Sequence, residues 1–147
     1  MGIIISKFRQ NYNFLSNFYA CDIEYEGRVY HSSEAAFQAA KCKLDAEKDN
    51  FINITPSTAK HMGRKVILRP DWEKVKNSIM LDIVYRKFTQ NPELAQKLLN
   101  TGDATLVEGN SWNDTYWGVC NGRGQNRLGK ILMNVRGILE CTTQEKS

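Results

Sequence analysis

Carboxylates, amides, a lysine, arginines and aromatic rings gather in four short segments of this 147-residue chain: Leu15-Ser16-Asn17-Phe18, Ser32 to Lys41, Asn113 to Gly118, and Gly122 to Gly129. That inventory suits a pocket for a phosphorylated ring compound, where hydroxyls need amide partners, phosphate needs cations and a flat ring needs an aromatic face. The second segment has the most telling spacing. Glu34, Gln38 and Lys41 fall at i, i+4 and i+7, so a helix there carries all three on one face, with Phe37 and Ala40 on the adjoining stripe. The small alanines leave space for a ligand. The plain alternative is a Glu34 that favours the positive end of the helix dipole and points into water, with Lys41 as an exposed helix lysine.

Gly122 to Gly129 is not a dinucleotide fingerprint, because Arg127 stands at the third glycine position and no βαβ unit precedes it; it also lacks the Gly-Lys-Ser/Thr ending of a P-loop. A glycine loop running into a helix capped by Asn126 can still present backbone amides to an anion, with Arg123 and Arg127 adding charge. The bland reading is a surface turn. Trp117 can stack on a base or flavin-like ring, although a lone tryptophan more often belongs to a core.

The elements that must position these residues are read from periodicity and punctuation. Gly2 to Ser6 and Ile23 to Tyr30 are rich in β-branched and aromatic residues, with Glu26-Gly27 as a hairpin turn, which predicts a small sheet near the N-terminus. From Ser32 or Ser33 a helix is expected to about Asn50, with Ala36, Phe37, Ala40 and Leu44 inward. Pro56 starts a short helix that Gly63 ends, and Pro70 precedes a longer one bearing Trp72, Val75, Ile79, Ile83 and Phe88. Asn91-Pro92 opens another, ending at Gly102; Thr105 to Glu108 reads as a strand, and a last helix runs from about Asn126 to Leu139. With 41% apolar residues and no linker or repeat, the expectation is one helix-rich α+β domain over 1–147, its end at 142–147 a disordered tail.

The net charge of +4 favours anionic ligands without specifying them. Zinc sites draw on tight ligand pairs such as Cys-x-x-Cys, and none exists; His31 and His61 stand thirty residues apart. No metal and no cofactor are expected. The four cysteines lack paired spacing, and neither a signal peptide nor a membrane-length apolar run is read, so a cytoplasmic protein with reduced thiols and no membrane partner is the expectation.

These residues together resemble the NADAR family, the YbiA-like N-glycosidases. The matching signature is Leu15-Ser16-Asn17-Phe18, Ser33-Glu34 with Phe37-Gln38-Ala39 and Lys41, Lys87-Phe88, Leu106-Val107-Glu108, Trp117-Gly118, then Gly124, Asn126, Leu128-Gly129, Leu132-Met133 and Arg136. Where many relatives carry His after the glutamate, this chain has Ala35, so no role of that histidine transfers. The resemblance implies a mainly helical α+β fold and metal-free hydrolysis of an N-glycosidic bond. Two substrate types are associated with the family: phosphorylated riboflavin-pathway intermediates, and ADP-ribose attached to guanine, the latter including nucleic-acid substrates.

Such a bond breaks through a cation-like sugar, so the site must stabilise positive charge, position a water and assist a poor nitrogen leaving group. Glu34 is the expected carboxylate for that work, Asp114 the second candidate, and Lys41 the group that orients Glu34 or binds phosphate. Asn17 and Gln38 offer donors and acceptors to ribose hydroxyls or a base edge; Trp72 and Trp117 are the stacking candidates; Arg123, Asn126 and Arg136 are those for phosphate, with Arg136 alternatively a structural salt-bridge partner on the last helix. Ser16, Phe18 and Gly118 complete the expected substrate-binding set. Two other functions stay open at this point: a module that binds NAD or ADP-ribose without cleaving it, which has no need of Glu34 and Asp114, and a nucleic-acid-binding protein, whose affinity would fall steeply with salt.

Overall fold

The computed structural model describes residues 2–146, with side chains described through residue 143. Its helices are α1 (Ser33–Ala40), α2 (Pro56–Gly63), α3 (Trp72–Gln90), α4 (Pro92–Leu99) and α5 (Arg127–Lys146). The strands are short: β1 (Ile4–Ile5), β2 (Ile23–Tyr25), β3 (Arg28–Tyr30), β4 (Thr105–Leu106), β5 (Gly109–Asn110) and β6 (Val119–Cys120). Among the described residues they form three two-stranded sheets, in which β2 and β3 make the expected hairpin, β1 pairs in parallel with β4, and β5 with β6. The chain divides into two units, Asn17–Asn91 and the remainder.

In the Asn17–Asn91 unit, α1 packs against α2 and α3, and α3 also packs on β2. The core there is built from Ile23, Tyr30, Ala36, Phe37, Ile83 and Phe88, all buried. α1 and α2 start where the sequence supplies a cap, whereas Asp71 before α3 makes no side-chain cap bond. Ser32, in extended backbone, accepts from the Ala35 N–H at 3.1 Å, and Thr55 accepts from the Thr58 N–H at 3.2 Å with Pro56 following.

The expected helix to Asn50 is corrected. α1 ends at Ala40, and Leu44 is exposed and extended before a 3-10 turn over Asp45–Phe51. The cause is non-local pairing: Lys43 N–H donates to Ile67 O at 2.9 Å and Arg69 N–H to Lys41 O at 2.9 Å, which pulls this segment out of helical geometry. Helical propensity loses to a backbone partner supplied by the tertiary fold.

In the other unit, α5 packs on α4 and β4, burying Leu98, Leu106, Leu128, Leu132 and Val135. A 3-10 turn over Gln10–Leu15, which periodicity did not foretell, ends at Ser16. α5 runs on through Lys146, into the segment expected as a tail; Ser147 lies outside the described residues. No helix of the described chain is long and apolar enough to cross a membrane.

Candidate active site

Glu34 sits in the first turn of α1 and is buried, 9% exposed. It therefore does not point into water as a simple helix-start charge would. Its N–H donates to Asn17 O at 3.0 Å, and Ser33 Oγ donates to Asn17 Oδ1 at 2.9 Å, so the Asn17 side chain and carbonyl tether the start of the helix. Asn17 Nδ2 in turn approaches Met80 Sδ at 3.6 Å. One turn along α1, buried Gln38 donates from Nε2 to Glu34 Oε2 at 3.0 Å. Gln38 Oε1 is buried with no hydrogen-bond partner, an arrangement that ordinarily costs about 1–3 kcal/mol. Gly63 of α2 lies directly against that oxygen, and a Cβ there would collide with it.

Lys41, half-buried at the end of α1, is pushed below the ordinary lysine value by burial; Glu34 opposes the shift, while Arg64, Lys60 and Lys76 reinforce it. Phe18 is 42% exposed, with Lys60 Nζ 5.9 Å from its ring centroid. Trp72 is packed inward: 6% exposed, its ring centroid is 5.1 Å from that of Phe37, so it joins α3 to α1 and its expected stacking face is spent on the core. The same unit holds Lys87, quoted in the family signature but given no role from the sequence. It is 1% exposed among the Tyr19 and Phe88 rings, and desolvation pushes it down to about 8, with Cys21 opposing.

The other expected residues cluster in the second unit. Asp114 Oδ1 accepts from Tyr116 N–H at 3.1 Å and Trp117 N–H at 2.9 Å, which makes this oxygen the cap of a turn. Asn126, the expected phosphate ligand, uses its amide instead as a strand-like clamp: Nδ2 donates to Leu106 O and Oδ1 accepts from Glu108 N–H, both at 2.9 Å. Glu108, half-buried and unassigned from the sequence, is held further by Asn110 Nδ2 on its Oε2 at 3.2 Å and by Gly118, which has no room for a side chain beside that carboxylate. Trp117 is half-buried and edge-on to Tyr116 at 4.8 Å, whose ring also carries Arg127. Arg123 is exposed in a turn whose backbone pairs with Cys120. Arg136 is 7% exposed and donates to Thr101 Oγ1 at 2.9 Å, a hydrogen bond to a neutral hydroxyl where the alternative reading expected a salt bridge.

A cavity of about 620 Å³ in this unit, lined by Ile5, Tyr12, Phe14, Lys97, Asn100 and Thr101 among others, contains no carboxylate and none of the site residues expected from the sequence. Among the described residues, no group of three or more His, Cys, Asp or Glu side chains is placed to hold a metal ion. The four cysteines are free thiols.

The family model of the NADAR domain matches residues 5–140. The chain belongs to the NADAR family. This NADAR chain is 40% identical over 130 residues to N-glycosidase YbiA of Shigella boydii serotype 4 (strain Sb227), an alignment covering 86% of this chain and 81% of the relative. It is 38% identical over 135 residues to a riboflavin biosynthesis protein of Vibrio vulnificus (strain YJ016), covering 89% of this chain but 36% of that protein. Its fold is that of the NMR structure of Escherichia coli YbiA, with a TM-score of 0.87 at 37% identity over 99% of this chain and 90% of that one. The NADAR chain is accordingly a helix-rich α+β protein and an N-glycosyl hydrolase.

Proposed function

We propose that this NADAR enzyme hydrolyses the bond between a ribose anomeric carbon and an amine nitrogen in a phosphorylated intermediate of riboflavin synthesis, with Glu34 at the reacting centre. The observation that carries the reading is the buried Glu34 carboxylate, fixed by Gln38 and tethered through Asn17. A carboxylate removed from bulk water stabilises a cation-like sugar far better than one in solvent. The Vibrio vulnificus relative, named as a riboflavin biosynthesis protein, supports the substrate class.

In the proposed reaction the C–N bond breaks with its electron pair going to nitrogen, and a water adds to the anomeric carbon. Glu34 faces the positive sugar and takes the proton that the attacking water sheds. The leaving nitrogen must gain a proton, and Lys41 suits that task because burial and neighbouring cations make its ammonium more acidic than an ordinary lysine. Gln38 Oε1 is an acceptor that a sugar hydroxyl can satisfy. The products are a free amine and a sugar phosphate.

Incubation of the purified protein with the aminopyrimidine ribosyl phosphate, and separately with ADP-ribosylated guanine, followed by mass spectrometry, tests the substrate. The proposal expects free aminopyrimidine and ribose phosphate from the first. Release of ADP-ribose from the second, with the first left intact, would move the enzyme to the other substrate class of the family.

A further inference from the structure

The cations expected to meet phosphate, Arg123 and Arg136, occupy an exposed turn and a buried bond to Thr101. A different set lies toward the Lys41 end of the Glu34 face. α2 packs on α1 and is seated there by Gly63 against Gln38, which brings Lys60, three residues earlier, and Arg64, one residue later, to the same end of the Glu34 face. Lys60 Nζ lies over Phe18, the neighbour of the Asn17 that tethers α1. Lys76 of α3 joins them, its ammonium 2.8 Å from Glu73.

Lys76 is thus paired on its own helix, and two features bear on the rest of this group, the first of them on Arg64. Elsewhere in the same unit, arginines are neutralised locally: Arg28 bridges Asp45 and Asp49, Arg69 bridges Asp71, and Arg86 bridges Asp82. Arg64 is exposed and has no ion-pair partner among the described residues. Second, the charges of Arg64, Lys60 and Lys76 all act on Lys41, the last polar residue of the Glu34, Gln38 and Lys41 face. A phosphomonoester brings about −1.5 to −2 charge to such a place, and the planar guanidinium of Arg64 suits paired bonds to its oxygens.

We propose that Lys60 and Arg64 of α2, with Lys76 of α3, form the phosphate subsite of the Glu34 centre and give the enzyme its preference for phosphorylated over dephosphorylated substrate. The proposal rests on Glu34 being the reacting centre, and it deepens that reading by assigning the anionic end of the substrate. Phe18 forms one wall of this subsite, under Lys60.

The test is the ratio of kcat/KM for the aminopyrimidine ribosyl phosphate to that for its dephosphorylated form, in the wild type and in the Lys60→Ala/Arg64→Ala double variant. The ratio is expected to fall roughly tenfold or more in the double variant, chiefly through a higher KM for the phosphorylated substrate. Lys130→Ala, which removes one charge from α5, is expected to keep the ratio. An unchanged ratio in a double variant that melts like the wild type overturns the proposal. Calorimetry with ribose 5-phosphate and ribose supplies an arm independent of the base. The wild type should bind the phosphate ester more tightly than ribose, and the double variant should lose the difference; equal binding of both by the wild type overturns the subsite. If ribose 5-phosphate binds as expected while the aminopyrimidine compound is not cleaved, the subsite stands and the proposed substrate falls.

Discussion

Gln38 donates from Nε2 to Glu34 Oε2 at 3.0 Å across a single turn of α1, and both side chains are buried. The bond fixes one carboxylate oxygen of Glu34, and α2 closes over the same pair through Gly63. Orientation of the carboxylate is thus a property of two helices.

Gln38→Leu keeps the side chain's volume but removes the bond that fixes Glu34 Oε2. Turnover is expected to fall roughly tenfold, because a misplaced reacting group loses rate steeply. Stability should hold within about 1 kcal/mol, since the substitution also removes the unpartnered Oε1 acceptor. Turnover and denaturant midpoint on one preparation check both; full turnover would show that Glu34 needs no such support.

Gly63→Ala forces a methyl into the Gln38 side chain. A loss of about 1–3 kcal/mol is expected, in line with overpacking at a tight contact, together with reduced turnover as Gln38 is displaced. Chemical denaturation measures the first and steady-state kinetics the second. A variant as stable and as active as the wild type would mean that α2 yields freely.

Much of this arrangement was legible in the sequence and some was not, for reasons that differ by residue. The cap at Ser32, the spacing of Glu34, Gln38 and Lys41, and the Pro56 to Gly63 helix are local signals, and each stands in the structure as read. The early end of α1 is not local: it depends on Lys43 and Arg69 finding backbone partners across the fold. The same holds for the cations around Lys41, since nothing in the spacing of Lys60, Arg64 and Lys76 relates them to Glu34 until α2 and α3 pack on α1. Asp114 carried a signal that was available. An aspartate followed by Thr-Tyr-Trp in a loop can accept the N–H groups two and three residues on, and its Oδ1 does.

Lys87 makes stability depend on pH in a direction that can be worked out. Its folded value of about 8 lies below the 10.5 of an exposed lysine, so between those values the unfolded chain holds more protons and stability rises with pH. The penalty is present in full below pH 8, where it amounts to about 3 kcal/mol at 1.36 kcal/mol per pH unit, and it fades toward 10.5. Lys87→Met should therefore lack the rise in stability that the wild type gains between about pH 8 and 10.5, so the difference between the two changes across that range. Melting temperatures of the two proteins across that range provide the check, and a pH-independent gap would contradict it.

Arg136 should behave as a structural residue. Arg136→Met breaks the 2.9 Å bond to Thr101 at a buried site and is expected to cost about 1–3 kcal/mol. Denaturation and KM for the phosphorylated substrate are measured together. A raised KM without loss of stability would return Arg136 to the substrate.

Glu34→Gln tests the central claim most directly, because it preserves shape and hydrogen-bonding reach while removing the charge. The carboxylate acts on a cation-like sugar and on the attacking water, so turnover should drop roughly a hundredfold or more with far less change in substrate affinity. A charge that merely favours the start of a helix would contribute about 1 kcal/mol or less of stability and nothing to turnover. The measurement is single-turnover rate, ligand affinity and melting temperature on this one variant: a folded Glu34→Gln protein that binds but barely turns over is the expected result, and a folded one with normal turnover would contradict the account.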